Sequence, residues 1–244
     1  TWLTVGGCPR SGTTALGAAL NGSGDIALLH EYPAKQFFDA LDGLFLEEDR
    51  QRALGGTDFF GNLLLRREKT AKNIAQAIYR DVFGKDARFI GTKTPNNHLL
   101  PEPTFPDWVS QRIIHVTRNP FNTVSSSILK DKCGYDANVQ APKALSEIES
   151  LVSGKTAVAI ARDVEERLSW WIGAWNYAVA RADDPHFLHV FYEDLLARPS
   201  EEKERVIAFL GGAEDLSFSN FRSSNNCSGV DGFIASGLGE HLPL

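Results

Sequence analysis

The sequence contains no methionine, only three cysteines and no long apolar run. A membrane-spanning helix needs roughly 18 or more consecutive apolar residues, so no membrane span is predicted. Cys8, Cys133 and Cys227 are far apart and none belongs to a CxxC pair. This excludes a disulfide framework and favours a reducing, cytoplasmic setting. The six histidines are scattered. None forms an H-x-x-x-H pair, so we expect no metal site.

The sequence also lacks an excess of positive charge. Its 25 Lys and Arg against 31 Asp and Glu leave a net charge of −6, which excludes a general nucleic-acid or acidic-membrane binder. Any anion site must therefore be built locally. The length of 244 residues and 43% hydrophobic content fit one α/β domain spanning residues 1–244. Residues 1–5 are typical of a strand and lack the charged and apolar regions of a signal peptide. The alternative to a cytoplasmic protein is a lumenal catalytic domain whose anchor precedes residue 1.

Apolar runs alternate with helical stretches along the chain. Strands are predicted over 2–6, 88–92, 112–117 and 186–192, and helices over 14–20 and 155–182. This order predicts an α/β fold with a mostly parallel sheet flanked by helices. The long helix carries Trp170, Trp171 and Trp175, which we expect in the core or on the wall of a cleft.

The most informative motif lies between the first strand and the first helix. Residues 7–14 read G-C-P-R-S-G-T-T, which has the spacing of a nucleotide-triphosphate loop except that Thr13 replaces its lysine. The loop backbone and the positive end of the helix favour an anion, and Gly7 and Gly12 allow a close approach. Arg10 adds a planar guanidinium group, whose paired N–H donors suit a phosphosulfate better than a triphosphate. An anion-binding loop is predicted here.

A second candidate anion site follows the strand at 112–117. Asn119 can cap a helix and Pro120 suits its first turn. Arg118 then lies at the carboxyl end of the strand and Ser126 lies two turns into the helix. Both can face the crevice in which open α/β sheets hold ligands, and Lys93 ends another strand on the same side.

Together these motifs resemble those of the sulfotransferases that use 3′-phosphoadenosine-5′-phosphosulfate (PAPS), in the branch containing tyrosylprotein, bacterial and carbohydrate sulfotransferases. The resemblance implies a P-loop-kinase-like fold, PAPS as donor, 3′-phosphoadenosine-5′-phosphate (PAP) as product and no metal. It implies that Arg118 and Ser126 bind the 3′-phosphate. It also implies that the 5′-phosphosulfate is bound by Arg10, Ser11, Gly12, Thr13 and Thr14.

The resemblance also suggests the catalytic groups. In this branch a glutamate at about the distance of Glu31 from the loop is the base. The cytosolic branch uses a histidine two residues after a Lys-Thr pair, where this chain has Pro95. We therefore favour Glu31, with His98 and then His30 as alternatives. Lys93 matches the lysine that bridges donor and acceptor, and Arg10 joins it in stabilising charge.

Two further residues come from weaker similarities. Tyr192 begins a Y-E-D-L turn that resembles one of the family, in which the tyrosine lies near the adenine. Packing in the core explains it equally well. Arg222 is a candidate for folding onto the nucleotide, although the R-K-G run of the cytosolic branch is absent.

The acceptor pocket is expected in the variable segments between the motifs. Segments around 32–75 and 131–155, with the Trp-rich helix, are expected to shape its pocket. Phe37, Phe38, Phe45, Phe59 and Phe60 are candidates for an apolar or sugar-stacking lining. We favour a hydroxyl of a carbohydrate or natural product, followed by a peptide tyrosine. The alternatives to a sulfotransferase are a P-loop kinase or NTPase and a non-catalytic nucleotide-binding module.

Overall fold

The structure, a computed structural model, describes residues 1–31, 67–99, 110–133, 157–212 and 215–218, together with Asp39 and Gly43. Its described part is built on one sheet in the order β2-β3-β1-β4-β5, and every pair of neighbouring strands is parallel. The predicted parallel α/β sheet is confirmed. The strands are β1 (Trp2–Gly7), β2 (Ile26–His30), β3 (Phe89–Lys93), β4 (Gln111–Thr117) and β5 (Phe187–Phe191).

Helices connect these strands. The described helices are α1 (Thr13–Asn21), α2 (Arg67–Phe83), α3 (Pro120–Cys133), α4 (Ala157–Val179), α5 (Tyr192–Ala197) and α6 (Pro199–Leu210), with a 3-10 turn at Asn97–Leu99. The predicted strands and helices agree with these bounds to within three residues. In the described residues, no helix is both long and apolar enough to cross a bilayer.

One strand was not predicted from the sequence. β2 has only five residues, and its run I-A-L-L-H lacks the alternation of polar and apolar residues that marks a half-buried strand. It forms a strand because it pairs along its whole length with β3. Tertiary pairing therefore decided the structure of this segment.

The central strand β1 is buried along its whole length, which explains its unbroken apolar character. Leu3 and Val5 of β1 join a core that includes Leu16 and Leu20 of α1. Gly91 is required in this sheet because a Cβ there would lie 1.8 Å from the Leu3 carbonyl oxygen. The parallel order brings the carboxyl ends of β1, β2, β3 and β4 to one edge, where the predicted anion-binding residues follow the strands.

Candidate functional site

The glycine loop, residues 7–14, ends β1 and starts α1. Gly12 has φ 98° and is the N-cap of α1, and no side chain of the described residues caps that helix. The first turn also carries no acidic residue. Its backbone N–H groups and the positive helix end can therefore serve an external anion. Ser11 Oγ is buried and has no hydrogen-bond partner among the described residues, which adds a polar atom that a ligand's oxygens would satisfy.

The two arginines expected at separate anion sites lie next to each other. Arg10 Nε donates a hydrogen bond to Ser126 Oγ at 3.1 Å. Arg118 Nη1 donates to the backbone oxygen of Arg10 at 3.4 Å. The predicted Asn119 cap is confirmed, since the Phe121 N–H donates to Asn119 Oδ1 at 3.0 Å. The glycine loop and the start of α3 thus form one continuous cationic surface.

Aromatic rings support Arg118 from the protein side. Its guanidinium carbon lies 4.7 Å from the centroid of the Tyr192 ring. Tyr192 is buried, and a Cβ on Gly12 would lie 2.3 Å from its Cδ2. Trp171 Nε1 donates to the Arg118 carbonyl at 2.8 Å, and Trp171 stacks on Trp175 with 5.7 Å between ring centroids. Tyr192 thus packs beneath both halves of the cationic surface, and its contact with a nucleotide stays a prediction.

Glu31 and Lys93 form an ion pair on the other side of the glycine loop. Lys93 Nζ lies 3.0 Å from Glu31 Oε1, and the Glu31 N–H donates to the Lys93 carbonyl at 2.7 Å. The Lys93 side chain is 3% exposed and that of Glu31 is 56% exposed. The lysine stem passes α1, because a Cβ on Gly17 would lie 3.2 Å from Lys93 Cγ. A buried cation therefore holds an accessible carboxylate beside the loop.

The Glu31–Lys93 ion pair shifts the pKa of both of its members. The hydrogen bond from Lys93 lowers the pKa of Glu31, although partial burial works in the opposite direction. Burial lowers the pKa of Lys93, against the effect of Glu31. His30 Nδ1 lies 3.8 Å from Glu31 Oε1 on the exposed side. Glu31 is therefore ionised at neutral pH.

The strand order places these groups around the loop. β1 is central, β3 and β2 lie to one side with Lys93 and Glu31 at their ends, and β4 lies to the other side with Arg118 after it. Strands are about 4.8 Å apart, so the ends of β2 and β4 are separated by roughly 14 Å.

Comparison with known proteins identifies the family. A sulfotransferase family model matches residues 3–215. The chain belongs to the sulfotransferase family. The resemblance inferred from the sequence motifs is confirmed. A search of curated proteins finds no match.

Solved sulfotransferases resemble this member of the family in fold. The sulfotransferase domain of the Synechococcus PCC 7002 olefin synthase is 17% identical, with a TM-score of 0.51 over 100% of this chain and 89% of that one. A sulfotransferase from Alicyclobacillus acidocaldarius is 17% identical, with a TM-score of 0.45 over 96% and 90%. A mouse sulfotransferase complexed with PAP is 15% identical, with a TM-score of 0.43 over 86% of this chain and 58% of the mouse chain.

Backbone strain in this sulfotransferase coincides with the site. Among the described residues, the non-glycine residues with positive φ are Arg10 (71°), Glu31 (56°) and Asn96 (61°). They follow β1, β2 and β3 respectively. Such conformations cost on the order of 1 kcal/mol each and cluster at functional sites. Two of the three are residues that the sequence motifs had singled out.

His98, the second candidate base, follows Asn97 on the 3-10 turn, and its ring packs against β4 and α4. Its ring packs against His115 at 6.4 Å and Tyr177 at 6.5 Å between centroids, and burial lowers its pKa. His115 belongs to β4, on the opposite side of β1 from the Glu31–Lys93 pair. This placement favours Glu31 over His98.

Two site residues were missed from the sequence. Asn97 Oδ1 accepts a hydrogen bond from the Gly7 N–H at 3.1 Å. Arg167 is buried beside the site and donates to Ser127 Oγ at 2.7 Å. The Asn-Asn pair that follows Lys93-Thr94-Pro95 was the available signal for the first, but no local pattern marks Arg167.

Several predictions fall outside the described residues. They concern Phe37, Phe38, Phe45, Phe59, Phe60, Arg222, Cys227 and the C-terminal segment 219–244. Cys8 is a free, buried thiol, and burial raises its pKa to about 12. The part of the chain that the structure describes contains no group of three His, Cys, Asp or Glu placed to hold a metal.

Proposed function

We propose that this protein transfers a sulfuryl group from PAPS to a hydroxyl of a carbohydrate or natural product, releasing PAP. The observation that carries the proposal is the arrangement of one cationic surface, formed by Arg10, Arg118 and the glycine loop, opposite the Glu31–Lys93 pair. A PAPS site needs one binding site for the 5′-phosphosulfate, a second for the 3′-phosphate, and a base close to the first. Residues 1–244 would form one sulfotransferase domain, and the family match over 3–215 supports this.

The donor's two anionic ends would be held by different residues. The N–H groups at the start of α1, together with Ser11, Thr13 and Thr14, would bind the 5′ end. Arg118 and Ser126 would bind the 3′-phosphate. Arg10 is hydrogen-bonded to Ser126 and belongs to the glycine loop, so its guanidinium can turn to the 5′-phosphosulfate or to the 3′-phosphate.

Glu31 would act as the general base. When bound, the donor supplies the sulfuryl group, whose bond to the 5′-phosphate oxygen breaks as the acceptor oxygen attacks sulfur. The ionised Glu31 carboxylate accepts the hydroxyl proton from the acceptor. Lys93 and Arg10 stabilise negative charge on the departing phosphate. As Lys93 turns toward that phosphate, its hold on Glu31 weakens, and the pKa of the base rises toward its ordinary range.

Ligand binding tests the donor assignment. Calorimetric titration with PAP and with ATP should show clear preference for PAP, whereas a kinase or NTPase would prefer ATP. Arg118→Ala should weaken PAP about 10- to 150-fold, the equivalent of roughly 1.5–3 kcal/mol for a charge-assisted hydrogen bond. The same change should leave adenosine-5′-phosphosulfate binding nearly unaffected, because that ligand has no 3′-phosphate. An equal loss of affinity for both ligands would refute the role of Arg118 in binding the 3′-phosphate. The matched control is Arg162→Ala, which changes an exposed arginine.

Turnover tests the base. Glu31→Gln should lower kcat about 10²- to 10⁴-fold without changing the Kd of PAP, because the amide keeps the size of the carboxylate but accepts no proton. Glu204→Gln, an exposed glutamate on α6, is the control. Full activity in Glu31→Gln would exclude it as base and return attention to His98. The acceptor would be identified by a labelled-PAPS screen across glycans, phenols and tyrosine peptides.

A further inference from the structure

The turn after β3 is fastened to the start of the glycine loop. The Thr94 N–H donates to the Val5 carbonyl at 2.9 Å, and the Asn96 N–H donates to the Gly7 carbonyl at 2.8 Å. The Gly7 N–H donates in turn to Asn97 Oδ1 at 3.1 Å. Both backbone groups of Gly7 are therefore held by two consecutive asparagines. Asn97 offers by its side chain the acceptor that a continuing parallel strand would offer by its backbone.

The Asn97 amide lies directly on the loop backbone. A Cβ on Gly6 would lie 2.2 Å from both Cγ and Oδ1 of Asn97, so the amide occupies the space that any side chain at Gly6 would need. Asn96 has φ 61°, a left-handed conformation that asparagine tolerates better than most residues. This strained residue turns the chain so that the next side chain points back to Gly7. The contact is thus built by both segments.

We infer that Asn97 is a positioning residue for the donor's 5′ end, an inference that rests on the proposed function. Gly7 is the residue at which β1 ends and the anion-binding loop begins, and its φ of 147° is accessible mainly to glycine. Without Asn97, its partly buried N–H would lose its partner, and the loop would leave β1 in a range of directions. The N–H groups at the start of α1 would meet one anion only when that direction is set, whereas the Ser11 N–H donates to the Cys8 carbonyl at 3.1 Å within the loop. Asn97 acts on the ligand through the loop and does not need to touch it.

Two ligands distinguish this role from a general effect on folding. PAP would bind through both its 5′- and its 3′-phosphate. Adenosine 3′-monophosphate lacks the 5′-phosphate and would bind through Arg118 and Ser126. Asn97→Ala should raise the Kd of PAP about tenfold, as expected for loss of a partly buried hydrogen bond, and should change the Kd of adenosine 3′-monophosphate less than twofold. In turnover, the KM for the donor should rise while the KM for the acceptor stays constant. Asn176→Ala, an exposed asparagine on α4, is the control.

A second variant covers the case in which Asn97→Ala folds poorly. Asn97→Asp keeps the shape and the acceptor oxygen but places a negative charge against the loop. It should weaken the binding of PAP more than that of adenosine 3′-monophosphate. Added salt should reduce this difference in affinity loss. Equal loss for both ligands, or no loss for PAP, in a variant that folds would overturn the inference. Failure of the wild-type protein to bind PAP at all would instead overturn the proposed function on which it rests.

Discussion

Gly12 and Tyr192 provide a quantitative test of how the anion-binding loop is supported. In Gly12→Ala the new methyl carbon would lie 2.3 Å from Cδ2 and 2.7 Å from Cε2 of the Tyr192 ring. The ring is buried and cannot move into solvent. Overpacking of this kind costs about 1–3 kcal/mol. The φ of 98° at Gly12 adds strain of about 1–2 kcal/mol for an L-residue. We therefore expect Gly12→Ala to lower the free energy of unfolding by about 2–5 kcal/mol.

Gly84 is a matched control for the strain alone. It follows α2 with φ 67°, and a Cβ there meets nothing within 4 Å. Gly84→Ala should cost only the conformational strain, about 1–2 kcal/mol. The difference between the two variants, measured by urea unfolding at neutral pH, contains the contact with Tyr192 and the additional strain of the larger φ at Gly12. Calorimetry with PAP should show weaker binding for Gly12→Ala only, because Arg118 stacks on the ring that the methyl group displaces. If Gly12→Ala cost no more than Gly84→Ala, the packing of Tyr192 beneath the loop would be wrong.

Two further predictions concern titrating groups. Lys93→Met removes the hydrogen bond that lowers the pKa of Glu31. An NMR titration should therefore find this pKa closer to its ordinary value of 4.5 than in the wild type. A further decrease of the pKa would contradict the ion pair. His115 is buried, and desolvation, with His189 and His98 nearby, lowers its pKa to about 3 from 6.5. Between these values the unfolded chain binds a proton that the folded protein excludes. Stability should therefore fall as the pH drops from about 6.5 toward 3, by up to about 1.4 kcal/mol per pH unit from this residue. Urea unfolding at several pH values should give a smaller slope for His115→Leu, and an unchanged slope would exclude His115 as a source.

The site shows which parts of the protein are encoded locally. The glycine loop, the Asn119 cap and the strands that precede Arg118 and Lys93 were predictable, because each depends on a few consecutive residues with restricted backbone conformations or a clear apolar pattern. The resemblance to the sulfotransferases depends on the same short motifs, and the family match over 3–215 confirms it.

Side-chain pairs across the crevice were not predictable in this way. The bond from Arg10 to Ser126 joins residues 116 positions apart, and the bond from Lys93 to Glu31 joins residues 62 apart. Neither residue of such a pair restricts the other locally, so no pattern in either segment reveals the contact. His98 illustrates the same point, since nothing in the sequence around it indicates that its ring packs against His115 and Tyr177.

The sequence by itself determined the kind of protein, namely a parallel α/β sulfotransferase with an anion-binding loop after its first strand. The tertiary structure alone decided the strand order β2-β3-β1-β4-β5, and with it which strand ends meet around that loop. It also decided that Asn97 fastens Gly7 and that Tyr192 supports Arg118. The physical reason is that backbone conformation and apolar periodicity act over a few residues, whereas strand pairing and buried contacts are selected by the packing of the whole sheet.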